Sequence, residues 1–148
     1  MNQTIIKYGH PSTLVADYAH WVVLVRQKQI TAACMILACK EEATCFPEIS
    51  PQAFGELKIV MHDIELNLRR MVHFDKINYL ALMMVDPHVH FHVVPRYAGE
   101  RKFGTLDIPD RGWPKHPDLS SVHEISGVEF EKFCVETRAQ WIRTTASA

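Results

Sequence analysis

His88-Val89-His90-Phe91-His92-Val93-Val94-Pro95-Arg96 alternates imidazole with apolar side chains. Successive side chains of an extended chain point to opposite faces. His88, His90 and His92 therefore share one face at steps of roughly 6.6 Å, and Val89, Phe91 and Val93 share the other. The apolar side must rest on a core. The imidazole side is a functional surface on a rigid support. Three neighbouring imidazoles repel one another when protonated and need partners when neutral, so the face calls for an anion or a metal ion.

Working outward, residues 77–85 read as a second strand. Asp86-Pro87 favours a turn between the two runs, because proline fixes φ and biases its predecessor towards extended geometry. A tight antiparallel hairpin is expected. Farther upstream, Ser50-Pro51 supplies an N-cap and a first-turn proline. Phe54, Leu57, Met61, Ile64, Leu68 and Met71 then recur at steps of three and four and line one face of a long helix. Two strands precede it, Trp21-Val22-Val23-Leu24-Val25 and Cys34-Met35-Ile36-Leu37-Ala38, parted by the polar Arg26-Gln27-Lys28-Gln29. A short helix is expected after His10-Pro11-Ser12, with Leu14, Val15 and Tyr18 as its apolar residues.

Downstream, residues 101–121 read as an ordered, proline-containing loop. Ser126-Gly127-Val128-Glu129 has the form of a capping box. The helix it opens carries Phe130, Phe133, Cys134, Thr137 and Trp141 on one face. The pattern predicts an α+β protein: an antiparallel sheet, one long helix packed on it, and a C-terminal helix. Its main domain is expected over residues 1–100, with a C-terminal extension over 101–148 packed on the same domain.

A chain of 148 residues, 47% hydrophobic and 22% charged, has the balance of one globular domain. Its formal net charge of −1 argues against broad binding to polymeric nucleic acid. No apolar stretch approaches the roughly 20 residues that span a bilayer. The first residues lack the charged-then-apolar order of a secretory signal. A soluble cytoplasmic location is expected, away from any membrane. Cys34, Cys39, Cys45 and Cys134 follow no zinc spacing and are expected to be reduced and mostly buried.

Two chemistries suit the histidine face. A neutral imidazole can attack phosphorus and form a phosphoramidate, with flanking imidazoles orienting it or binding phosphate oxygens. Alternate histidines on a strand can also hold zinc, for which Asp86 is the nearby carboxylate.

The run from His88 to Arg96 resembles the signature of the histidine triad family: His, apolar, His, apolar, His, apolar, apolar. The upstream order of two strands, an Ile49-Ser50-Pro51 helix start, a long helix and a strand matches as well, so the likeness covers residues 21–96. It implies a small α+β domain that forms a homodimer. It also implies hydrolysis or transfer of nucleotidyl groups from dinucleoside polyphosphates, nucleoside phosphoramidates and similar compounds, without a metal or other cofactor. By that resemblance His90 is the nucleophile, His92 contacts the phosphate and His88 places His90. Arg96, directly after the strand, is expected to meet phosphate.

The chain looks like a short-turn bacterial branch. Met83-Met84-Val85-Asp86-Pro87 stands where a Gly-rich loop with a leaving-group residue is usual. Arg26 occupies the place of a ribose-binding Asn and is the second substrate-binding candidate. The alternatives are a nucleotide-binding regulatory protein with little turnover, and a metal-binding protein.

Overall fold

The computed structural model describes residues 1–125 and 127–144. Its centre is a five-stranded, wholly antiparallel sheet built from β1 (Leu14–Asp17), β2 (Trp21–Val25), β3 (Met35–Cys39), β4 (Lys76–Leu80) and β5 (His90–Arg96). The strands lie in the order β1-β2-β3-β5-β4. Helix α1 (Gln3–Lys7) precedes the sheet, and α2 (Pro51–Val72) links β3 to β4. A hairpin of β6 (Glu100–Phe103) and β7 (Leu106–Pro109) and helix α3 (Gly127–Gln140) follow. The α+β architecture with one long helix and a C-terminal helix is as read from the sequence.

Every residue of β2 and β3 is buried. A strand can be apolar throughout only when both faces of the sheet are covered. Trp21, Val23, Val25, Met35, Leu37 and Cys39 join the main core together with Val60, Ile64 and Leu68 of α2. Val22, Leu24, Ile36 and Ala38 pack on the other face around Ile5 of α1. The second layer was not foreseen, and it decides how the histidines are housed.

Residues 14–17 form β1, not the expected helix. Their apolar spacing over so short a run suits a helix or a strand equally, and pairing with β2 settles it: Tyr18 N–H donates to the Trp21 carbonyl at 2.8 Å to close the hairpin. The helix lies earlier, where Asn2 Oδ1 accepts from the Ile5 N–H at 3.1 Å.

In α2, Ser50 is the N-cap and its hydroxyl accepts from Ala53 N–H at 3.1 Å. The buried stripe is Ala53, Val60, Ile64, Leu68 and Val72, with Leu57, Met61 and Met71 flanking it. Phe54 is 44% exposed. The stripe is turned from the expected one because residues 141–144 cover the flank of the helix. There the wholly buried Asp63 accepts from Tyr18 Oη at 2.7 Å and from Thr144 N at 2.9 Å.

The hairpin expected at Asp86-Pro87 is a nine-residue connection, 81–89, with β4 ending at Leu80 opposite His92. Part of the expected 101–121 loop is the β6–β7 hairpin, whose tight turn uses Gly104 at φ +60°. In α3, Phe130, Cys134 and Thr137 are buried, whereas the Ser126 end of the expected capping box falls outside the described residues. Cys34, Cys39 and Cys134 are buried, Cys45 is exposed, and all four are free. No helix among the described residues is long and apolar enough to cross a membrane.

Candidate active site

Strand β5 carries Phe91 and Val93 towards α2, where Phe91 packs among Trp21, Phe46 and Tyr79 with ring centroids 5.7–6.3 Å away. Alternation then sends His90 and His92 to the α1 face, their rings 5.1 Å apart. Tyr8, just after α1, lies against both, 5.6 Å from His90 and 6.0 Å from His92. His90 is only 2% exposed.

His88 departs from the expected pattern. It lies before β5 and meets His90 through its backbone: the His88 carbonyl is 2.7 Å from His90 Nδ1. A carbonyl only accepts, so Nδ1 carries the proton. In the neutral ring the lone pair is therefore on Nε2, which makes no hydrogen bond to any described residue. This is the tautomer a nucleophilic imidazole needs.

The His88 ring turns away and is held at both nitrogens. Nε2 donates to the exposed Glu42 carboxylate at 3.0 Å. Nδ1 is 3.0 Å from the Thr4 hydroxyl, which also accepts the His88 backbone N–H at 3.3 Å. Among the described residues, no group of three or more His, Cys, Asp or Glu converges to hold a metal ion. With both His88 nitrogens engaged, the three imidazoles do not present a common ligand set.

His92 is half-buried, and its Nδ1 is enclosed without a hydrogen-bond partner among the described residues. Burial, reinforced by the nearby Arg26 charge, lowers its pKa to about 4. At neutral pH it is an uncharged ring with one N–H to offer. Arg26 lines a cleft of about 80 Å³ with His92, Leu80 and Leu119. The structure thus brings Arg26 to the histidines.

It does not bring Arg96 there. Arg96 is 4% exposed, and its guanidinium bonds to both oxygens of the buried Asp110 at 2.7 and 3.2 Å. It also donates to Asn78 Oδ1 at 2.8 Å and the Lys115 carbonyl at 2.7 Å. Four of its five N–H groups are thereby occupied. The expected phosphate contact is replaced by an internal ion pair, because the 110–115 segment folds over the end of β5.

Three residues around the histidines escaped the sequence reading: Thr4, Tyr8 and Glu42. Asp86, expected in a turn and as the carboxylate nearest a zinc site, lies in the 81–89 connection and joins it to α1. It accepts from Tyr8 Oη at 3.0 Å and pairs with Lys7. The cap at Asn2 was the available signal for α1, but nothing local says on which face a five-residue helix docks.

No protein-family model and no curated protein matches the sequence. Solved structures do match. A histidine triad protein from Bradyrhizobium japonicum superposes with a TM-score of 0.68 at 17% identity, over 96% of this chain and 97% of that one. One from Marinobacter aquaeolei gives 0.67 at 18% identity, over 95% and 92%. The Plasmodium falciparum diadenosine triphosphate hydrolase, solved with cyclomarin A, gives 0.62 at 8% identity, over 87% and 76%. The chain has the fold of the histidine triad proteins.

Proposed function

We propose that this protein is a nucleotidyl hydrolase or transferase that works through a covalent nucleotidyl-histidine intermediate on His90. Its substrate is a nucleoside phosphate anhydride, ester or phosphoramidate. The observation that carries the reading is the bond from His90 Nδ1–H to the His88 carbonyl, which leaves the Nε2 lone pair for attack.

Nε2 attacks the α-phosphorus, the bond to the leaving group breaks, and the electron pair departs with that group. The charge developing on the phosphoryl oxygens is met by the neutral His92 N–H and by the Arg26 guanidinium. Water, or another acceptor, then attacks the phosphorus and returns the electron pair to Nε2. In this reading His88 positions His90 through its backbone and no cofactor takes part. The homodimer belongs to the same reading, on the strength of the shared fold.

Turnover of adenosine phosphoramidates and dinucleoside polyphosphates by wild type, abolished in His90→Ala, is the expected result, with a trapped nucleotidyl adduct on His90. If wild type and His90→Ala are equally inactive across that panel, the enzymatic reading fails. The second reading, a nucleotide-binding regulator, draws on the near-complete burial of His90 beneath Tyr8. Micromolar mononucleotide binding that is lost in His92→Ala and accompanied by no turnover would select it.

A further inference from the structure

The nucleophile proposed above is shut in. His90 is 2% exposed, yet attack on phosphorus needs the reacting atoms about 3–3.5 Å apart. The Tyr8 ring closes over both histidines, its centroid 5.6 Å from His90 and 6.0 Å from His92. Those are the separations of aromatic rings in contact, and they leave no room between for a phosphoryl group. On the other flank of Tyr8 lies a cavity of about 330 Å³. Gly9 and Thr13 stand on one side of it, Arg26, Gln27 and Lys28 on the other, with Asp86 at one end. Tyr8 lines this cavity, and none of the described histidines does. The ring is thus the partition between the cavity and the histidine pair.

Two motions would uncover His90, and the contacts rank them. Undocking α1 exposes the wholly buried Ile5 and breaks the Asn2 Nδ2 bonds to the Cys39 and Glu41 carbonyls. Rotating the Tyr8 side chain breaks one hydrogen bond, from Oη to Asp86 at 3.0 Å. Asp86 keeps Lys7 as a partner, so no carboxylate is stranded. The Tyr8 backbone stays in place as the C-cap of α1, its N–H on the Thr4 carbonyl at 3.1 Å. Room is sufficient, because a cavity of about 150 Å³ accommodates a benzene ring.

We propose that Tyr8 is the gate of the histidine site. With its hydroxyl on Asp86 it closes over His90 and His92, and substrate reaches His90 when the ring swings into the cavity between α1 and the β2–β3 loop. Access to His90 is then set by one hydrogen bond, with Asp86 as the latch, and α1 remains docked. The consequence for turnover rests on the His90 reading above, whereas the gate is a property of access alone.

Diethyl pyrocarbonate, which acylates an accessible neutral imidazole nitrogen, reads that access on the full chain without a substrate. Mass spectrometry assigns the label within residues 88–92. In wild type His90 should label at least about tenfold more slowly than His62, whose side chain is 65% exposed. Tyr8→Phe keeps the ring and removes the latch. It should label His90 about tenfold faster than wild type, the effect of losing a hydrogen bond to a charged acceptor, with amide exchange across residues 3–8 unchanged. Tyr8→Ala, which removes the ring, should label faster still. The inference is overturned if wild-type His90 labels as fast as His62, or if Tyr8→Phe labels no faster than wild type. It is also overturned if labelling and amide exchange across residues 3–8 rise together, since α1 would then be the moving part. Faster labelling in Tyr8→Phe, alongside turnover that His90→Ala leaves intact, removes the nucleophile reading and keeps the gate. An unchanged labelling rate alongside turnover abolished in His90→Ala does the reverse.

Discussion

His92 shows how a side chain's surroundings, more than its identity, set its use. Enclosure and the Arg26 charge lower its pKa to about 4, against an ordinary imidazole value of about 6.5. Between those values the unfolded chain binds a proton at this position and the folded protein does not. Folding stability must therefore rise with pH across that window and lose this dependence above it. The limiting slope for one proton is about 1.4 kcal/mol per pH unit, less for a ring that keeps some solvent contact. Urea denaturation at pH 4.5 and pH 7 should show a smaller loss of stability in acid for His92→Gln than for wild type, by about 1–2 kcal/mol. Equal losses would mean that His92 is not held neutral. The alternation of His90, Phe91 and His92 was legible in the sequence because strand geometry is local. The destination of the His88 ring was not, because Thr4 and Glu42 come from 84 and 46 positions away.

Helix α1 has five residues and cannot persist by its own hydrogen bonds. Its docking does that work. Full burial of Ile5 contributes about 2 kcal/mol. Asn2 caps Ile5 N–H while its Nδ2 donates to the Cys39 carbonyl at 2.9 Å and the Glu41 carbonyl at 3.1 Å. Asn2→Ala should cost about 1–2 kcal/mol of stability. It should also raise amide exchange across residues 3–8, since these bonds hold the layer that covers His90. Unchanged protection there would show that the cap does not anchor the helix. Helix α2 behaves differently: its 22 residues, Ser50 cap and apolar period announce it from the sequence alone. Its rotation on the sheet is another matter. Asp63 and Asn67 turn inward because Thr144 and Ile142 supply their hydrogen bonds, a partnership across more than seventy residues.

Across the whole molecule, the C-terminal third closes the fold around the end of β5. Arg96 and Asp110 are the joint: side-chain exposures of 5% and 0% place the pair out of water. Asp110 also accepts the Tyr97 and Gly112 N–H groups, each at 3.2 Å. Arg96→Ala should cost about 3–5 kcal/mol, because it leaves a buried carboxylate uncompensated. Urea unfolding would measure this, and Arg96→Met/Asp110→Leu should recover much of the loss. A phosphate-binding Arg96 would instead raise KM at unchanged stability. The sequence by itself determined the α+β class, the strand that bears the histidines, which of its faces is apolar, and the long helix beneath, since each follows from periodicity or capping within one segment. Only the tertiary structure decided that the histidine face lies under α1 and that the nine-residue connection sends the His88 ring away from its neighbours. It also decided that Arg26 rather than Arg96 reaches His92. Those outcomes depend on contacts between segments far apart in the chain, and alternation along a strand assigns a side chain to a face without saying what covers that face.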